Sequence, residues 1–208
     1  MIQSSVDLVR RMPYRAALEA LAAVRRDEIV VTTMGAAREW PRLSRHALDF
    51  HYLPSAMGHA PLIGLGLALA QPNRQVMVLN GDGCLLMNLG CLVTIAASQA
   101  RNLTLIVLEN SIYEVTGGQA TAAAAAGPRV DFAALARAAG IPSAFVYDDL
   151  DVWRNEAAAA LTAPGPRFVC LRVEPVGADY QLPPHSPLPD RIAAFQRALI
   201  PGMAGNET

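Results

Sequence analysis

Two stretches decide how this chain folds. Gln75-Val-Met-Val-Leu79 runs straight into Asn80-Gly-Asp-Gly-Cys84, and Leu103-Thr-Leu-Ile-Val-Leu108 runs straight into Glu109-Asn-Ser111. Each is apolar at consecutive positions rather than at alternate ones. Successive strand residues point to opposite faces, so an unbroken apolar run reads as a strand buried on both sides. Between them, Leu89 to Ala100 reads as a helix. Strand, helix and strand of this kind make a parallel βαβ unit, which brings both strand ends to one edge of a sheet.

The alternation continues in both directions. Pro13 to Val24 predicts an amphipathic helix with proline at its first turn. Glu28 to Thr32 predicts a buried strand, Ala37 to Ala47 a helix with Arg38, Arg42 and Arg45 on one face, and Phe50 to Leu53 a short strand. Gly58 to Ala70 predicts a small-residue helix. Further on, Phe132 to Ala139 predicts a helix stopped by Gly140, followed by a strand at Ala144 to Tyr147, a helix at Leu150 to Leu161 and a strand at Phe168 to Val173. The expected fold is α/β: a doubly wound, mostly parallel sheet with helices on both faces. Residues 1–175 are expected to form one domain. Residues 176–208 form a Pro-rich tail with a helix at Pro189 to Leu199, packing on that domain.

Composition narrows the function. The 208 residues are 52% hydrophobic, enough for one well-buried core. Seventeen basic residues face 18 acidic ones, so the basic excess of a nucleic-acid protein is missing. The three cysteines, Cys84, Cys91 and Cys170, have no CxxC spacing, which argues against a disulfide framework, a zinc ribbon or an iron–sulfur site. Cys91 and Cys170 are expected to be buried and inert. The longest apolar stretch, Ala60 to Ala70, is too short for a membrane span. The first fifteen residues lack the apolar core of a signal peptide. The expectation is a cytoplasmic chain with no membrane contact.

In an open α/β sheet, ligands bind beyond the carboxyl ends of the strands. Asp82 offers a hard carboxylate oxygen there and Asn110 a neutral amide oxygen. Mg²⁺ takes a few such ligands together with phosphate oxygens. Gly81 and Gly83 let backbone N–H groups approach a phosphate closely. A lone Gly-Asp-Gly is as often a simple turn. The gap to Asn110, long enough for one helix and one strand, makes the metal-bridged diphosphate reading the stronger one.

Gly81-Asp82-Gly83 followed by Asn110 resembles the cofactor motif of the thiamine diphosphate enzymes. The resemblance implies thiamine diphosphate with Mg²⁺, the metal held by Asp82, Asn110 and the backbone carbonyl of Ile112. It implies diphosphate contacts from the backbone at Gly83 and Cys84. Pro54-Ser-Ala-Met57-Gly58 resembles the segment that holds the aminopyrimidine, through the carbonyl of Ser55 and the N–H of Met57. Met87 matches the apolar wedge that bends the cofactor, although spacing alone favours helix core. His59 and Gln119 are further catalytic candidates, the latter in a loop that could close over the cofactor. His51 reads as structural. Arg38 could meet an anionic substrate group, but a solvated helix face is the commoner reading of its run.

Within that family, Tyr14-Arg-Ala-Ala-Leu18, Arg38-Glu39, Leu85-Leu-Met-Asn-Leu-Gly90 and Thr116-Gly-Gly-Gln119 resemble the phosphonopyruvate and sulfopyruvate decarboxylases, from about residue 13 to 175. This implies loss of CO₂ from a 2-oxo acid to give an aldehyde, with the thiazolium as electron sink. Trp40 stands where relatives carry a smaller residue, and residues 120–127 lack their Pro-Thr pair, so the resemblance does not carry the substrate's identity. Such enzymes need a second domain that supplies a glutamate to the pyrimidine. None of Asp7, Glu19, Asp27, Glu28, Glu39 and Asp49 sits in a matching segment. A separate pyrimidine-binding (alpha) subunit is therefore implied, in a hetero-oligomer such as α2β2. The alternatives are a carboligase subunit, a β subunit of a 2-oxoacid:ferredoxin oxidoreductase, or a non-catalytic cofactor-binding or assembly subunit.

Overall fold

In chain order the elements are α1 (Tyr14–Val24), β1 (Ile29–Thr32), α2 (Met34–Leu43), β2 (Asp49–His51), α3 (Ala60–Ala70) and β3 (Val76–Gly81). Next come α4 (Asp82–Leu86), α5 (Cys91–Ser98), β4 (Leu103–Glu109), β5 (Ile112–Tyr113) and β6 (Gln119–Ala120). The chain continues through α6 (Phe132–Ala138), β7 (Ser143–Tyr147), α7 (Leu150–Thr162), β8 (Arg167–Arg172) and α8 (Leu188–Leu199). The structure is a computed structural model that describes residues 10–51, 56–124, 130–176 and 184–200.

Six strands form one parallel sheet in the order β2-β1-β3-β4-β8-β7, and β5 and β6 form a small antiparallel hairpin. The consecutive apolar residues of the central strands feed two cores, one on each face. Ile29, Val31, Val76, Val78, Leu105 and Val107 pack under α3, α5, α6 and α8. Val30, Met77, Leu79, Ile106 and Leu108 pack under α1, α2 and α7. Helix α3 lies so close to β3 that a Cβ at Gly64 would sit 2.1 Å from Val78 Cγ2. Asp131 and Asp149 cap α6 and α7 by accepting backbone N–H bonds in the first turn. Gly140, at φ +101°, ends α6 as its position predicts.

After β1 the chain passes to one side of the sheet, to β2; after β3 it passes to the other, to β4. The carboxyl ends of β1 and β3 therefore flank a switch in strand order, where α/β sheets open a crevice. The doubly wound expectation holds. Several boundaries differ. Helix α2 begins at Met34, not Ala37, and stops at Leu43. Ser44 and Arg25 both bind Asp49, and this ties residues 44–48 down as a turn rather than helix. The helix expected from Leu89 to Ala100 is the shorter α5, and a further helix that was not expected, α4, starts at Asp82 itself. The β5–β6 hairpin was not expected, since two-residue strands carry no periodicity to read. Helix α8 rests on the edge strand β2: Phe195 lies 5.0 Å from Phe50 between ring centroids, and the Arg191 guanidinium donates to the carbonyl of His51. Among the described residues, no helix is long and apolar enough to cross a membrane.

Candidate active site

Register brings the two motif ends together. Gly81 at the end of β3 pairs with Leu108 in β4, so Asp82 and Asn110 leave neighbouring strands side by side. Both are buried, Asp82 at 2% exposure and Asn110 at 8%. Asp82 Oδ2 accepts the backbone N–H of Ser111 at 3.1 Å and the hydroxyl of Thr121 at 3.4 Å. Burial pushes the Asp82 carboxyl up from 3.8 to about 6; the Gly83 N–H pulls it down, and the Glu109 carboxylate pushes it up again. A desolvated carboxylate with a second carboxylate nearby is a site that a cation would neutralise.

Asn110 is fixed at both ends of its amide. Its Oδ1 accepts the N–H of Ile112 at 3.1 Å, the two-residue turn that asparagine favours. Its Nδ2 donates to Glu114 Oε2 at 3.2 Å. Burial raises the Glu114 carboxyl, opposed by the Val176 N–H and the Arg38 guanidinium. Ser111, between these residues, holds φ +66°, and Met34, the first residue of α2, holds φ +53°. Left-handed backbone costs a non-glycine residue of order 1–2 kcal/mol, and such outliers gather at functional sites.

A cleft partly open to solvent lies over these strand ends. Its lining includes Gly81, Asp82, Gly83, Cys84, Met57, Met87, Asn110 and Ile112, all expected from sequence. Its floor is backbone at Gly83: a Cβ there would stand 2.7 Å from the Tyr113 ring. Met57 and Met87 edge it at 39% and 52% exposure, so Met87 is not the core residue that its helical spacing allowed. Sequence reasoning missed Met34, Gly35, Tyr113 and Glu114 in this lining. The first two follow β1, the other strand at the switch point, and that rule could have found them. Glu114 carried no spacing signal of its own.

Other expected residues are placed elsewhere. His59 is the exposed N-cap of α3 and does not line the cleft. Gln119 is exposed in β6, folded back against Gly117. His51 Nδ1 lies 2.8 Å from Thr32 Oγ1, and burial pushes its pKa down to about 4, as suits a structural imidazole. Ser55 lies outside the described residues. Cys91 and Cys170 are buried, and burial raises both thiols.

The donor set suits a hard cation. Among the described residues no three His, Cys, Asp or Glu side chains could hold a metal. A cation at Asp82 and Asn110 would therefore draw its remaining oxygens from backbone and ligand, which is the habit of Mg²⁺ beside a phosphate.

The profile of the family described as "Thiamine pyrophosphate enzyme, C-terminal TPP binding domain" matches residues 29–171. The chain belongs to this family. Within it, this thiamine pyrophosphate enzyme domain is 39% identical over 163 residues to the sulfopyruvate decarboxylase subunit beta of Methanothermobacter thermautotrophicus, covering 78% of this chain and 83% of that one. It is 41% identical over 166 residues to the phosphonopyruvate decarboxylase of Streptomyces viridochromogenes, covering 79% of this chain but only 40% of that longer protein. The benzoylformate decarboxylase of Polynucleobacter necessarius shares the fold at a TM-score of 0.61 and 18% identity, over 82% of this chain and 34% of that one.

Proposed function

We propose that this chain is the diphosphate- and Mg²⁺-binding subunit of a two-chain, thiamine diphosphate-dependent decarboxylase that converts a 2-oxo acid to an aldehyde and CO₂. The observation that carries this reading is the buried Asp82–Asn110 pair beside the Gly83 backbone, in a domain of the thiamine pyrophosphate enzymes. The decarboxylase names of its relatives support the reaction class. The two-chain organisation is supported by the name of a relative, a sulfopyruvate decarboxylase subunit beta, aligned over 83% of its length. The unit would be residues 1–175, with the tail of 176–208 packed on it, in a cytoplasmic assembly such as α2β2.

In this reading Asp82, Asn110 and the Ile112 carbonyl hold Mg²⁺, and the backbone of Gly83 and Cys84 meets the diphosphate. The carbonyl of Ser55 and the N–H of Met57 hold the pyrimidine. Met87 sits at the cleft edge, where an apolar side chain can hold the cofactor bent. The bound cofactor supplies the electron sink for loss of CO₂; the chain positions, neutralises and excludes water. A pyrimidine-binding partner supplies the missing glutamate and covers the open side of the cleft. His59 and Gln119 join the reaction only if the assembly brings them to the cofactor.

The test is reconstitution. The full chain is assayed against a panel of 2-oxo acids, alone and with a candidate pyrimidine-binding subunit. Turnover that needs both chains supports the reading, and enzyme-like decarboxylation by this chain alone overturns the two-chain part. Products analysed with and without an added aldehyde separate decarboxylase from carboligase.

A further inference from the structure

We propose that Glu114 is a positioning residue for the metal site: its carboxylate holds the Asn110 amide with the oxygen, not the nitrogen, turned toward the cation. This rests on the reading of Asp82 and Asn110 as metal ligands. A carboxamide has two ends of nearly equal size, and only the oxygen end can bind a cation. Here each end has a partner of the right kind. Nδ2 donates to Glu114 Oε2, and Oδ1 accepts the Ile112 N–H while keeping a second lone pair. A flipped amide would face nitrogen against an N–H and oxygen against a carboxylate, losing both bonds.

Glu114 is itself held in place. The turn after β5 closes on the Tyr113 carbonyl, which accepts the N–H groups of Thr116 and Gly118. On the other side, the first turn of α2 approaches so closely that a Cβ at Gly35 would sit 3.4 Å from Glu114 Oε2 and 3.0 Å from the Tyr14 hydroxyl. The carboxylate thus lies between the β1 and β4 ends of the cleft, with its Oε2 already engaged by Asn110. Its Oε1 is buried with no hydrogen-bond partner among the described residues, so the orienting role rests on Oε2.

The test measures Mn²⁺ binding to the full chain by electron paramagnetic resonance at saturating thiamine diphosphate. Glu114→Ala should weaken binding about tenfold, the size of a charge-assisted hydrogen bond. Glu114→Gln, whose amide oxygen can accept the same bond, should stay within about threefold. The decisive arm uses Asn110→Asp, whose two oxygens are equivalent and need no orienting. In that background there is no amide to orient, so Glu114→Ala should weaken binding only through the loss of one nearby negative charge, well short of the tenfold effect beside Asn110. A fold defect would weaken both backgrounds alike. Equal weakening in both, or no effect in the Asn110 background, overturns the proposal. Wild-type binding that Asp82→Ala abolishes but Glu114→Ala leaves alone overturns this inference only. Absence of Mn²⁺ binding by the wild-type chain overturns the metal clamp and this inference with it.

Discussion

The backbone N–H of Ser111 donates to Asp82 Oδ2 at 3.1 Å, so the loop that leaves β4 holds the carboxylate that ends β3. The loop is held in turn by the segment that precedes α1. Arg11 donates to the Ser111 hydroxyl at 2.8 Å and to the carbonyls of Glu109 and Val173 at 3.0 Å each. The candidate metal site is therefore a junction of three chain segments, not a property of one motif.

The Asp82 carboxyl gives a pH signature. Its pKa is raised to about 6 in the folded chain, from 3.8. The folded state therefore holds its proton more tightly than the unfolded state does. In the metal-free chain this contributes stability below about pH 4 that is lost as pH rises through about 6. A cation competes with that proton, so stabilisation by Mg²⁺ with thiamine diphosphate should grow as pH rises through the same window. Thermal melts at pH 5 and 7.5 should differ by a few degrees in the ligand-induced shift. Asp82→Ala should remove the shift at both pH values; a wild-type shift indifferent to pH counts against Asp82 as the ligand.

Gly83→Ala should damage the cleft floor through one methyl group. The new Cβ meets the Tyr113 ring at 2.7 Å, so the ring or the start of α4 must shift at the cleft. Overpacking of this kind costs about 1–3 kcal/mol. Titration calorimetry should show weaker thiamine diphosphate binding. Adding Tyr113→Ala should recover part of the lost stability, because it removes the atoms in the way. If the single variant binds the cofactor normally, the floor is not where the diphosphate lies.

Met87→Ala separates catalysis from stability. The side chain is half exposed, so its truncation should change stability by no more than about 0.5 kcal/mol. If Met87 bends the cofactor, turnover of the reconstituted enzyme should fall at least about tenfold, a barrier change of only about 1.4 kcal/mol. Met87→Leu should restore most of it. Equal turnover in the alanine variant and the wild type would remove Met87 from the mechanism.

Gly64→Ala tests the packing that carries the site. The added Cβ lies 2.1 Å from Val78 Cγ2, and α3 must lift from β3 to admit it. Chemical denaturation should show a loss of about 1–3 kcal/mol. The pair Gly64→Ala with Val78→Ala should regain part of that, since the clash is between two side chains and not with backbone. Additive losses in the pair would mean that the close approach is not what limits the site.

Local chemistry made much of this molecule readable in advance. The central strands announce themselves because unbroken apolar runs suit only a sheet covered on both faces, and Val76 to Leu79 and Leu103 to Leu108 lie in that sheet at 2% exposure or less. Asp82 and Asn110 were legible for the same reason: a polar cluster at the end of such a run must lie at a sheet edge. Boundaries were less so. Nothing local to Arg45 marks the end of α2, which is set by Arg25 and Ser44 closing on Asp49.

Residues that act through contacts distant in sequence were hidden. Thr121 reaches Asp82 from 39 positions away, and Arg11 reaches Ser111 across 100. Glu114 is close to Asn110 in sequence, yet its role depends on α2 arriving against it at Gly35. Strand period and turn chemistry are written into neighbouring residues, so strand identity, sheet class and the candidate metal-binding pair follow from the chain alone. The shape of the cleft follows from the pairing of Gly81 with Leu108 and from helices packed to van der Waals contact, which exist only once the whole sheet has formed.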